Sequence, residues 1–84
     1  MQITTSKGET FEALMVTDAT WDRSVLVQLR VEQDTRLSAI ASSFEDIDGI
    51  TTDAGDAFAV GPLNSVFRIA STYIELRLQR RETT

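Results

Sequence analysis

Glu45, Asp46, Asp48, Asp53 and Asp56 form the densest group of chemically capable side chains in this 84-residue chain, and no Lys or Arg stands between positions 37 and 67 to offset them. Spaced carboxylates followed by a glycine, as in Asp46-Ile47-Asp48-Gly49, can wrap a hard cation. The spacing fails that test. With Gly49 at the loop glycine, Phe44 falls at the first ligand position and Gly55 at the last, where a full calcium loop needs an acidic residue and a bidentate glutamate. Pairs such as Glu45 with Asp48, or Asp53 with Asp56, are the raw material of general acid and base work at a glycosidic bond. That work also needs a pocket, which so small a core rarely leaves. The remaining chemistry is electrostatic: a negative face that meets a basic groove, as a mimic of nucleic acid would. Its plain alternative is a set of solvated loops that keep a small protein dispersed.

The other reactive groups are few. Without cysteine or histidine the chain has no disulfide, thiol nucleophile, imidazole base or Cys/His zinc site. Its serines have no histidine to activate them, and its one lysine, Lys7, falls in an expected exposed turn. Neither glycine-rich phosphate motif occurs. The expectation is a protein that is not an enzyme and holds no cofactor and no metal. Trp21 stands between Asp18 and Asp22 in a polar stretch, either as part of an exposed patch with Phe11, Met15 and Leu26 or folded back as a cap on the core. Arg68, Arg77, Arg80 and Arg81 suit cross-strand pairing with Glu75, or an outward basic stripe. The net charge of −5 argues against such a stripe serving nucleic acid directly.

These groups must be positioned by short elements. Met1 to Thr5 and Thr10 to Val16, around Ser6-Lys7-Gly8-Glu9, have the layout of a hairpin, and Thr17 to Ser24 reads as a loop. Val25, Val27, Leu29 and Val31 alternate with polar residues, which predicts a strand over Val25 to Glu32. The period then changes. Leu37, Ile40, Ala41 and Phe44 line one face of a helix, with Asp34 or Thr35 as N-cap and Gly49 as the left-handed residue near its end. Ile50 to Thr52 is extended, Asp53 to Asp56 turns, and strands are predicted over Ala57 to Val60, Ser65 to Ala70 and Tyr73 to Gln79, with Gly61-Pro62-Leu63-Asn64 as a turn. Arg80 to Thr84 is expected to fray. The order predicts one α+β domain over residues 1 to 84: a mostly antiparallel β-sheet or small, partly open barrel with one short helix.

Ile3 to Glu12, Arg36 to Glu45 and the closing Glu75-Leu76-Arg77-Leu78 together resemble small uncharacterised phage and prophage proteins of Gram-positive bacteria. The likeness covers most of the chain, as pattern without a catalytic signature, and carries no functional residues over. Where such relatives place glycine after the Phe-Glu pair, this chain has Asp46. The resemblance implies a phage protein that binds and inhibits a host protein, of the anti-CRISPR or other anti-defence type. Its expected partner is a nucleic-acid-binding defence protein, met through Glu45, Asp46, Asp48, Asp53, Asp56 and Trp21, without direct contact to nucleic acid or membrane. The alternative is a virion or tail-assembly module that forms homo-oligomers through strand edges. The opening residues lack a basic and then apolar leader, and no apolar run approaches the ~20 residues needed to span a bilayer. The expected location is the host cytoplasm or the virion.

Overall fold

A computed structural model describes residues 1–19, 21–30 and 36–81, with the backbone alone at 62 and 67. Six strands and one helix follow in order: β1 (Gln2–Thr5), β2 (Thr10–Ala19), β3 (Ser24–Arg30), α1 (Leu37–Ser43), β4 (Gly49–Thr52), β5 (Ala57–Ile69) and β6 (Tyr73–Arg80). The architecture is mostly antiparallel β with one short helix. Pairing runs β1-β2-β3-β6-β5-β4 and returns to β1, so the circuit is closed where the sequence left it partly open. Every neighbouring pair is antiparallel.

The two long strands make this closure. Thr10 to Glu12 of β2 pair with β1; Ala13 to Ala19 pair with β3, with a register shift between Ala13 and Met15. Likewise Ala57 to Ala59 of β5 pair with β4, and Val60 to Ile69 pair with β6 through three register shifts. Bulged strands bend, and bends of this kind let one strand turn a corner between two sheets. The turn expected at Gly61-Pro62-Leu63-Asn64 is therefore replaced by a continuous 13-residue strand. Pro62 has no N–H to give, but it sits in the shift between Val60 and Leu63, where the ladder is already interrupted.

The interior follows the alternation. Val25, Val27 and Leu29 of β3 face Leu78, Leu76 and Ile74 of β6 in direct register, and all six are buried. Val31 lies outside the described residues. Ile3 and Ile50 join this cluster from β1 and β4, and Ile40, Phe44 and Ile47 join it from the helical segment. Of the four residues expected on the helix face, Ile40 and Phe44 are buried, whereas Leu37 and Ala41 are exposed. A seven-residue helix spans barely two turns, so it presents two anchors, and Ile47 in the following turn supplies the third. Phe44 stacks on Phe11 with ring centroids 5.3 Å apart.

Local chemistry differs from expectation in three further places. Residues 34 and 35 are outside the described set, and the N-cap position is held by Arg36 with no side-chain cap bond. The left-handed residue after the helix is Asp46 at φ 55°, a conformation Asp tolerates better than most side chains. Gly49 instead opens β4, where a Cβ would stand 2.8 Å from the Phe58 carbonyl oxygen, so close backbone approach is what requires glycine there. At the C-terminal end Arg80 belongs to β6, and the Arg81 amide donates to the Ala59 carbonyl at 2.9 Å, so these two residues are held rather than frayed. Gly8, at φ 87°, takes the positive φ expected of the first hairpin turn.

Candidate functional site

Glu45, Asp46, Asp48, Asp53 and Asp56 are all exposed, but they do not form one cluster. They divide between the two ends of β4. At its start, the turn after α1 carries Glu45, Asp46 and Asp48 and is tied to the first hairpin. Lys7 Nζ donates to the carbonyl oxygens of Ser42 and Glu45 at 3.2 and 3.1 Å, and the Asp48 amide donates to Ser6 Oγ at 2.7 Å. Arg81 reaches across, with Nη1 2.8 Å from Asp48 Oδ1 and Nη2 3.3 Å from the Ile47 carbonyl. At the other end, Asp53 exchanges bonds with Gln2, its amide donating to the Gln2 carbonyl at 2.9 Å and its Oδ2 accepting from the Gln2 amide at 3.1 Å. The Asp56 amide donates to Thr52 Oγ1 at 3.2 Å, and Gly55 at φ 95° closes the turn. These bonds hold the backbone of both loops and leave the carboxylates of Glu45, Asp46 and Asp56 without an ion pair among the described residues.

Between the two groups lies the outer face of β1, β4 and β5. Direct pairing puts Thr4 with Thr51, Thr51 with Ala57 and Gly49 with Ala59, so the outward positions are small and uncharged. A shallow cavity of about 500 Å³ opens over Thr4, Asp48, Gly49, Thr51, Ala57 and Ala59. The result is a flat, neutral strip with a carboxylate group at each end. Sequence spacing found the carboxylates and missed the strip, because register alone decides which small residues share a face.

Trp21 lies in the β2–β3 loop, 79% exposed, so it is not a cap on the core. Phe11 parts from the expected patch by turning inward onto Phe44, whereas Met15 remains half exposed. The arginines of the last strands find acidic partners mostly other than Glu75. Arg77 lies 3.6 Å from Asp22, Arg80 pairs with Asp18, and Arg81 pairs with Asp48. Glu75 accepts from Gln28 Nε2 at 2.8 Å. Arg68 does stand opposite Glu75 in register, and its Nη1 donates to the Tyr73 hydroxyl at 3.1 Å. That hydroxyl, followed by the Glu75 charge, raises the Arg68 guanidinium above its ordinary value.

Among the described residues no three metal-ligating side chains gather, and no helix is long and apolar enough to cross a membrane. No protein-family model, curated protein or solved structure matches the chain.

Proposed function

We propose that this chain is a non-enzymatic, phage-encoded binding protein that inhibits a host protein, of the anti-CRISPR or other anti-defence type, through its acidic surface. The observation that supports it is the exposure of Glu45, Asp46, Asp48, Asp53 and Asp56 at both ends of a flat neutral strip, in a stretch without Lys or Arg. Carboxylates arranged in this way complement a basic channel built for a phosphate backbone, and their summed field steers association. Trp21 adds an exposed aromatic of the kind that anchors protein interfaces. Host cytoplasm is the location this role requires.

The test uses capture of a basic, nucleic-acid-binding protein from host lysate, followed by competition with added nucleic acid. Replacing Glu45 by Gln and Asp46, Asp53 and Asp56 by Asn should abolish capture while the fold, read by circular dichroism, stays intact. Asp48 is left in place because Arg81 already engages it. Capture that survives the fourfold change, or that nucleic acid does not displace, would sink the proposal.

A second reading, a virion or tail-assembly module in the virion, has its own observation. Beyond Val60, whose amide also donates to the Asp48 carbonyl at 3.3 Å, Leu63 to Ile69 of β5 pair with β6 alone among the described residues, and Ile69 at their end is 64% exposed. An unpaired strand edge is a template for another copy of the chain. A closed oligomer in light scattering, unchanged between low and high salt, would favour this reading over the first.

A further inference from the structure

The β2–β3 loop folds a second, independent group onto the outer face of the long-stranded half. Asp22, Ser24, Asn64, Arg77 and Gln79 line a cavity of about 350 Å³, a size at the small end of ligand sites. Four chain segments meet there. Ser24 of β3 stands directly opposite Gln79 of β6, Arg77 stands opposite Ser65 of β5, and Asn64 precedes Ser65. Ser24 is buried and held in place: its Oγ donates to Asp22 Oδ1 at 2.5 Å, and its amide donates to the same oxygen at 3.1 Å. Arg77 steadies the carboxylate from the other side at 3.6 Å. The first members of the wall are thus pre-organised by one another, and the amides of Asn64 and Gln79 are exposed at its rim.

The lining selects a ligand class by exclusion. Its one carboxylate and one guanidinium cancel, so neither an anion nor a cation is favoured, and the chain's net charge of −5 further repels phosphate. An apolar ligand would bury the polar groups without partners. What fits is a neutral molecule whose groups both donate and accept. The side-chain amides of Asn64 and Gln79 each set a donor beside an acceptor and can engage two adjacent hydroxyls at once. We propose that this cavity binds a neutral saccharide, with Asn64 and Gln79 meeting its hydroxyls beside the Asp22–Arg77 pair.

The experiment is titration of the isotopically labelled full chain with glucose, galactose, mannose and N-acetylglucosamine, read by amide NMR, with inorganic phosphate as the comparison. Saturable shifts at Ser24, Asn64, Arg77 and Gln79 with at least one sugar, and none with phosphate, are expected. Asn64→Ala and Gln79→Ala, both at exposed positions, should each weaken that binding at least fivefold while the rest of the spectrum is unmoved. No saturable shift with any of the four sugars, a shift with phosphate instead, or undiminished binding by both variants would overturn the assignment.

Discussion

Where β2 and β5 run beside β1 and β4, each ladder holds three residue pairs; where they run beside β3 and β6, and where those two meet, the ladders hold six or seven. The short half gives the core only Ile3 and Ile50 from β1 and β4, whose other residues are Gln2, Thr4, Thr5, Gly49, Thr51 and Thr52, and the exposed charges at the ends of β4 are carboxylates. The long half contributes Val25, Val27, Leu29, Ile74, Leu76 and Leu78 to the core, and its Arg80 and Arg77 are matched to Asp18 and Asp22. One circuit of strands therefore divides its labour: apolar burial concentrates in the long half, while uncompensated charge and a flat face concentrate in the short one. A surface meant for a partner belongs where the fold depends on it least.

That division can be broken from the long half first. Leu76 is fully buried at the centre of the β3–β6 ladder, so Leu76→Ala should cost about 3 kcal/mol, the middle of the usual range for such truncations, and move the whole thermal transition of the domain. In the short half, Gly49→Ala forces a methyl against the Phe58 carbonyl and should cost about 2 kcal/mol. Hydrogen exchange distinguishes the two: the Gly49 change should speed exchange at Ile50, Phe58 and Ala59 while Val27 and Leu76 stay protected, and uniform acceleration would show that the halves unfold as one. The smallest effect sharpens the contrast from the other direction. Thr5 Oγ1 is buried with no hydrogen-bond partner among the described residues, so Thr5→Val should stabilise the protein by about 1 kcal/mol in a denaturant titration.

Much of the fold was legible because alternation is a local property. The inward set of β3 and β6 follows from Val25, Val27, Leu29, Ile74, Leu76 and Leu78 alone, and Gly8 announces its turn. The misses are places where a distant segment overrode local chemistry. Gly61-Pro62 has the composition of a turn, yet pairing with β6 on both sides keeps the chain extended through it, with shifted register. Gly49 looks like a helix terminator until Phe58 is brought against it from β5. Arg81 looks like a loose tail until Asp48 and Ala59 are placed beside it. The carboxylates of the candidate site were visible in sequence. Their separation by β4 was not, since residues close along the chain lie at opposite ends of a strand only once that strand is paired.

By itself the sequence determined the chemistry available to this protein: no thiol or imidazole, thirteen acidic side chains against eight basic ones, and short apolar alternations that require an antiparallel sheet. Tertiary structure alone decided which of those groups share a surface. The bends of β2 and β5 split the ring into two halves, put a neutral strip between the acidic turns, and folded Asp22 over Ser24, Arg77 and Gln79. The physical reason is that side-chain identity is carried residue by residue, whereas register and closure depend on the burial and backbone pairing of the whole chain at once.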